Sequence, residues 1–202
     1  MVETLSYVAA VAMAISAFTL VALHVVPTGY DPIRDAVSDY AVGRYRAAFW
    51  LFVVAGAVSG FALAIALARS DPSKPKLTIA MLLLSGAARL LIPMFPTDQG
   101  GSRFQTLKGT IHMLLAIAIF ASIAVSASNL GGTIGHEPAW HTVKGLVDGW
   151  LPWVITGTAI ATGLAIFSRR LKHVFGLMER SYYVSSIVWF LVVSIELARI
   201  GG

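Results

Sequence analysis

The chain has 202 residues, of which 57% are hydrophobic and only 12% are charged, and its mean hydropathy is +0.77. Soluble domains are about half apolar and a quarter charged, so this composition predicts a protein whose solvent is lipid. Cysteine is absent, which excludes disulfides, thiolate nucleophiles and Cys-ligated metal centres. The net charge of +5 comes from basic residues in short loops between apolar runs, so we expect membrane lipids as partners and no nucleic acid.

Six apolar runs, taken in chain order, are long enough to cross a bilayer. A span needs about 20 mainly apolar residues, because roughly 30 Å of hydrocarbon is crossed at 1.5 Å per residue. The runs are continuous rather than alternating, which favours helices over a β-barrel. We therefore predict an all-α, polytopic membrane helix bundle that forms a single transmembrane domain over residues 1–202. The predicted spans are 5–26, 47–68, 77–95, 108–128, 150–168 and 181–199.

Small and aromatic residues in the spans predict how the helices pack. The runs 55–60 and 157–163 are rich in Gly and Ala, which lets backbones approach closely, so we expect both runs to face other helices. Pro138 suits the first position of a short helical turn in the long fourth loop. Amphipathic rings near the span ends are interpreted as interfacial anchors; they are Trp50, Trp140, Trp150, Trp153, Tyr182 and Tyr183.

An even number of spans places both termini on one side of the membrane and the first, third and fifth loops on the other. Nine Lys and Arg residues fall in these odd loops and five on the side of the termini, which indicates cytoplasmic odd loops. Glu196 and Arg199 lie three residues apart at the end of the last span and are interpreted as a local ion pair.

The first loop carries a series of carboxylates. Asp31 followed by Pro32 has the pattern of an N-cap and a first helical residue, which predicts a short helix. On such a helix Asp31, Asp35 and Asp39 recur every four residues and share one face. Ser38 lies beside the last of them. Three aligned carboxylates repel one another unless a cation faces them.

The third span supplies such a cation, because Arg89 lies inside an otherwise apolar run. Arg89 lies about eight residues, or roughly 12 Å of helix, from the turn at Thr97 and Asp98. It can extend toward the odd-loop face or pair inside the bundle.

Two histidines complete the polar set. Ser102 and Gln105 have the spacing of a capping box at the start of the fourth span, which places His112 two to three turns into that helix. His24 lies near the end of the first span, so both rings are expected at similar depth below the odd-loop face. The fifth loop adds further charges there, which are Arg169, Arg170, Lys172, His173, Glu179 and Arg180.

Four functions remain open at this cluster. The leading interpretation is a polar pocket for a lipid headgroup or small polar ligand, since ionisable groups inside a membrane are expensive and usually functional. The alternatives are a divalent-metal-dependent lipid hydrolase or transferase, a small transporter, and a structural subunit stapled by ion pairs of Arg89. The ligand-binding candidates are Asp31, Asp35, Ser38, Arg89 and Thr97; the catalytic candidates are His24, Asp39, Asp98 and His112; the metal candidates are His24, His112 and Asp39.

At these residues the chain resembles an uncharacterised bacterial and archaeal membrane family, domain of unknown function 998. The resemblance rests on His24 with Pro27, on the stretch from Asp31 to Asp39, and on the turn at Asp98 followed by His112. It covers nearly the whole chain and implies a six-span protein of a prokaryotic cell membrane, with no established activity. The Ser38-Asp39 element is also similar, more distantly, to DRAM-type and GPI-remodelling membrane proteins, and that likeness implies odd loops outside the cytoplasm.

Overall fold

A computed structural model describes residues 1–71, 75–99, 104–134, 136–168 and 170–202 of the chain. Ser102 of the predicted capping box, and Lys74, Arg103 and Arg169 of the loop cations, lie outside these ranges. Within them the fold consists of helices and irregular connections. The six long helices are α1 (Val2–Val25), α2 (Arg46–Ser70), α3 (Lys76–Leu91), α4 (Leu107–Ile134), α5 (Leu151–Phe167) and α6 (Phe175–Gly201).

The predicted number of spans is confirmed. Six helical segments are long and apolar enough to cross a membrane, with α3 continued to Met94, α5 preceded by a π-helical turn from Gly145, and α6 preceded by a short helix from Leu171. The largest differences from the prediction are that α4 continues to Ile134 instead of ending at residue 128 and that α6 begins at Phe175 instead of residue 181. No proline interrupts these extensions. Gly131, Gly132 and Gly176 lie within them, but isolated glycines lower helix stability without ending a helix, so the helices continue beyond the most apolar residues.

The helices form a ring in chain order, in which each helix packs on the next and α6 closes against α1. Paired serines join the first two helices: Ser16 Oγ donates to Phe52 O at 2.9 Å, and Ser59 Oγ donates to Ala9 O at 2.8 Å. Residues 55–60 are mostly buried, and Gly60 lies against the backbone of α3, as the small-residue run predicts. These contacts hold α1, α2 and α3 closely together.

The termini meet at one end of the ring, where a Cβ on Gly201 would touch Val2. At the same end the predicted Glu196–Arg199 ion pair is confirmed at 2.6 Å, and Arg199 also donates to Ala139 O at 2.9 Å. Ala139 belongs to the short helix Pro138–Trp140, which confirms the predicted turn beginning with proline. The first, third and fifth loops therefore share the opposite end of the bundle.

The anchor interpretation remains a prediction for the aromatic residues that are exposed and is wrong for those that are buried. Trp50, Trp150 and Trp153 are exposed on the outside of the bundle, with Trp153 78% accessible. Trp140 and Tyr182 are buried in the core, and Tyr182 stacks on Phe120 with ring centroids 3.9 Å apart. A span end does not fix an aromatic ring at the interface when a neighbouring helix offers a packed face.

Candidate ligand site within the membrane

Loops at the odd-loop face are connected to one another and to α6 by hydrogen bonds. Leu177 N, in the first turn of α6, donates to Ile33 O of the first loop (residues 26–45) at 3.0 Å. Gln99 Nε2 of the third loop (residues 95–106) donates to Tyr30 Oη at 3.0 Å. Gly176 permits the first contact, because any Cβ there would overlap the carbonyls of Pro32 and Asp35. The first loop thus covers the end of the ring.

Arg180 is the buried cation that holds this cover in place. Its Nη1 donates to Asp35 O at 2.7 Å and to Gly176 O at 3.1 Å, and its Nη2 donates to Tyr40 Oη at 3.1 Å. Its Nε donates to Nε2 of His24. One guanidinium therefore joins the end of α1, the first loop and α6. Arg180 was expected in the fifth loop but lies in the second turn of α6.

The surroundings of His24 leave no nitrogen for a metal. Its Nδ1 lies 2.6 Å from Leu20 O, a carbonyl that can only accept, and its Nε2 faces the donating Nε of Arg180. These partners assign the neutral tautomer with the proton on Nδ1. Among the residues that the structure describes, no group of three His, Asp or Glu side chains is arranged to hold a metal ion. The predicted metal set of His24, His112 and Asp39 is therefore not brought together.

The predicted row of carboxylates on one helix is wrong. Residues 32–34 form a turn, and the next helix is a short 3-10 helix, Val37–Ala41. Asp31 accepts Ile33 N at 2.8 Å and Asp35 accepts Asp31 N at 2.8 Å, both at the surface. Asp39 alone is buried and accepts Ala36 N at 2.9 Å. Short polar side chains that bond the local backbone favour turns over a continuous helix.

Asp98 organises the start of α4. Its Oδ2 accepts Gln105 N at 2.8 Å and Thr106 N at 2.9 Å, and its Oδ1 accepts the Thr106 hydroxyl at 2.7 Å. Hydrogen bonds from the Thr106 backbone and side chain are the main cause that holds the pKa of Asp98 below its ordinary value, with Gln105 and His112 contributing. Because α4 begins at Leu107, this carboxylate caps its first free N–H groups.

His112 fixes the same turn from inside the bundle. The ring is buried, and its Nδ1 lies 2.7 Å from Phe95 O. Gly109, one turn earlier, leaves room for the Asp98 carboxylate, which a Cβ at that position would overlap. Thr97 is buried in this turn. Thus Asp98 and His112 together position the third loop on α4.

A cavity of about 320 Å³ lies beneath these loops and is bounded by α2, α3, α4, α5 and α6. Its walls are mainly aliphatic and aromatic. Three of the predicted residues, Ser38, Arg89 and His112, line it, whereas His24, Asp31, Asp35, Asp39, Thr97 and Asp98 do not. The remaining polar side chains of the lining are Thr156, Thr162, Glu179 and Tyr183.

Arg89 is the exceptional group of this lining. It is 4% exposed, its Nε has no hydrogen-bond partner, and among the described residues no carboxylate lies within ion-pair distance of its guanidinium. The guanidinium lies directly on Gly56 of α2, and Tyr182 and Tyr183 of α6 are in its neighbourhood. The predicted ion pairs of Arg89 are thus not formed, and the carboxylates nearest in sequence are engaged with the loop backbone.

Glu179 was expected in the fifth loop. It lies in α6 and lines the cavity. It is buried, and its Oε2 accepts Val37 N of the first loop at 2.6 Å. Tyr183, one turn further along α6, was interpreted as an interfacial anchor and lines the cavity as well. The i, i+4 spacing of these two residues would have placed them on one face, had the helix been predicted to begin six residues earlier.

Small residues of α5 create part of the empty space. The run 157–163 was expected to face other helices, but a Cβ added at Gly157 or Gly163 would meet no atom within 4 Å. Gly157 is exposed on the outside, and Gly163 lines the cavity beside Ala159. The prediction of close packing is therefore wrong for both glycines. Small side chains produce close helix contact only where a second helix fills the space that they leave.

Comparison with known proteins places the whole membrane domain in one family. The family described as "Protein of unknown function (DUF998)" matches residues 8–196, from the first turns of α1 to the last turns of α6. No curated protein and no solved structure matches the chain. The match agrees with the resemblance found at the first and third loops, and the chain belongs to this family of proteins of unknown function.

Proposed function

We propose that this integral membrane protein, in a prokaryotic cell membrane, binds an anionic lipid-like ligand whose acidic headgroup pairs with Arg89 in the cavity. The observation that carries the proposal is a guanidinium that is buried, lines an apolar cavity and has no acidic partner among the described residues. A buried charge without a partner costs several kcal/mol. An anion bound at Arg89 would recover much of this free energy, and a guanidinium suits the two oxygens of a carboxylate or phosphate.

Glu179 also brings a negative charge to the cavity, but its role differs. Its Oε2 is occupied by Val37 N, and it serves the contact between the first loop and α6. Among the charged side chains of the lining, Arg89 is the one with a buried nitrogen, Nε, that has no hydrogen-bond partner in the part of the chain that the structure describes. The apolar walls then favour a ligand with a hydrocarbon part over a free inorganic anion.

The test compares amphiphiles that share a chain and differ in headgroup. Purified protein in detergent is offered hexadecyl phosphate, hexadecanol and hexadecyltrimethylammonium, with dipalmitoyl phosphatidate as a two-chain anion, and binding is measured by native mass spectrometry. We expect hexadecyl phosphate to bind more tightly than the alcohol and the cation that carry the same chain. Arg89→Met should weaken anion binding by roughly 10- to 150-fold, which corresponds to a hydrogen-bonded contact with a charged group of about 1.5–3 kcal/mol.

Two controls separate this role from a structural one. Arg34→Met removes an exposed cation whose partner Asp31 lies 3.7 Å away, and should leave binding unchanged. Arg89→Met should melt at the same temperature as the wild type or higher, because it removes an uncompensated charge. Gly56→Ala, which puts a methyl group where the guanidinium lies, should weaken anion binding while retaining Arg89. Equal binding of anion, alcohol and cation, or an anion preference that survives in Arg89→Met, would refute the proposal.

A further inference from the structure

The cavity is open at one side of the bundle, along the seam between α4 and α5. Ile117 and Val125 of α4 and Ile160 of α5 line the cavity, yet they are 46%, 39% and 58% exposed. Residues that are both lining and exposed mark an opening, and the side chains at this opening are aliphatic. In a bilayer the opening faces hydrocarbon rather than water.

The seam is open because its facing side chains are small. Ala121 and Ala124 of α4 and Ala159 and Gly163 of α5 line the cavity, and a Cβ at Gly163 would meet nothing within 4 Å. A shallower depression, of about 370 Å³, continues along the outside of the same seam and shares Ala124, Val125 and Thr156 with the cavity. The two hollows thus form one groove.

The dimensions of the cavity fit one hydrocarbon chain. Its lining on α4 extends from His112 to Val125, which are thirteen helical steps or roughly 20 Å apart along the helix. The volume of about 320 Å³ is thus spread along a long, narrow slot rather than a rounded chamber, and this shape suits a single extended hydrocarbon chain. An extended chain advances roughly 1.2 Å per bond, so about 16 bonds would fill the length.

Polarity changes along this slot. Arg89, His112, Ser38 and Glu179 lie toward the odd-loop face, while the other end is bordered by Ala124, Val125 and Ile160, with the Thr156 hydroxyl as a single polar group. An amphiphile would therefore lie with its head at Arg89 and its tail toward Val125. This order matches the way in which a chain already embedded in the bilayer would slide into the groove.

We infer, on the basis of the function proposed above, that the ligand is a single-chain anionic amphiphile that enters sideways from the bilayer between α4 and α5. The chain lies in the groove parallel to α4, and its acidic head reaches Arg89 without passing through the loops. Neither the first loop, held by Arg180, nor the third loop, held by Asp98, has to open for the ligand to enter.

Photolabelling tests the route and the direction of the chain. Two sixteen-carbon fatty acids, one with a diazirine at the tail and one with a diazirine near the carboxylate, are incubated with the protein in nanodiscs, illuminated and mapped by peptide mass spectrometry. We expect the tail probe to label the surroundings of Val125 and Thr156, and the other probe to label α4 closer to His112. Labels confined to lipid-facing positions outside the cavity, such as Leu114 and Ile195, would overturn the inference.

A matched pair of glycine substitutions tests the groove itself. Gly163→Leu should fill the slot and weaken hexadecyl phosphate binding by at least about 10-fold, whereas Gly157→Leu, on the same helix and equally free of neighbours, should change it less than about two-fold. Dipalmitoyl phosphatidate, with the same head and two chains, should bind at least about 10-fold more weakly than hexadecyl phosphate.

These outcomes separate the inference from the function on which it rests. Two results would contradict the groove: equal binding of two-chain and one-chain anions, or equal binding by Gly163→Leu and Gly157→Leu. If Arg89→Met still abolished the preference for anions in either case, the headgroup site would be supported and only the lateral single-chain groove would be wrong. Cross-linking of a second protein copy along α4 and α5, in place of the probes, would likewise overturn it. If the wild type itself shows no preference for anions, the proposed function is refuted instead.

Discussion

Replacing Arg180 with methionine is expected to destabilise the protein strongly, although the new side chain is apolar and similar in length. The wild-type guanidinium donates to Asp35 O, Gly176 O, Tyr40 Oη and His24 Nε2. Methionine can donate to none of them, so buried acceptors in the first loop and α1 lose their partner. Hydrogen bonds to a charged group contribute about 1.5–3 kcal/mol each but do not add in full, so the loss of four of them should cost about 3–5 kcal/mol.

The loss should be measurable as a lower melting temperature in detergent. For a domain of this size 1 kcal/mol corresponds to roughly 2–4 °C, which gives a decrease of roughly 6–20 °C. Arg34→Met is the control, because its exposed ion pair with Asp31 is worth at most about 1 kcal/mol. If Arg180→Met melts within about 2 °C of that control, the hydrogen bonds of Arg180 do not hold the first loop in place. The contrast with Arg89→Met, expected to be neutral or stabilising, follows from the different partners of the two arginines.

Two further perturbations test local features of α4. Asp98→Asn should remove a part of the stability that depends on pH, because folding lowers the pKa of Asp98. The stabilising effect of the carboxylate is complete above the ordinary pKa of an aspartate, near 3.9, and it is lost as the pH falls through the lower pKa of the folded state. The difference in melting temperature between wild type and variant should thus be constant above about pH 5 and shrink below about pH 4; a difference that does not vary with pH argues against the cap. Gly131→Ala should destabilise by about 1–3 kcal/mol, because its Cβ would lie 2.5 Å from Val147 O and 2.9 Å from the Asp148 Cα. Gly132→Ala meets no atom within 4 Å and should be neutral or stabilising by up to about 1 kcal/mol in chemical unfolding, so equal effects at the two positions would show that the approach of α4 to the π-helical turn is not tight.

The six spans could be predicted from the sequence because lipid imposes a length and a polarity on every crossing segment. The gathering of the odd loops at one end follows from the same even count of spans. What composition could not supply was the identity of each polar partner. Arg89 and Arg180 are equally polar in the sequence, yet Arg180 donates four hydrogen bonds whereas Arg89 has no acidic partner in the described structure.

The polar residues that were predicted to form one cluster do not do so, because several of them form hydrogen bonds with the nearby backbone. Asp31, Asp35 and Asp39 bond to N–H groups within four residues of themselves, which short side chains do readily at turns. His24 bonds to Arg180, a residue 156 positions away, and no pattern in the sequence indicates that pairing. The cavity could not be predicted from the sequence either. The glycines of α5 are compatible with close helix packing and with an empty space, and only the position of α4 decides which of these occurs.

The closure of the ring bears on how the protein is made. The flank of α1 that packs on α6, and the contact of His24 with Arg180, can form only after the last helix has left the ribosome and entered the bilayer. Until then the most recently inserted helices must associate with one another or with the insertion machinery. The face of α1 that packs on α6 in the folded protein has no helix against it during this time. The contact between α1 and α6, the most widely separated of the six spans, is therefore the last contact of the ring to form, and contacts between residues far apart in sequence generally form slowly.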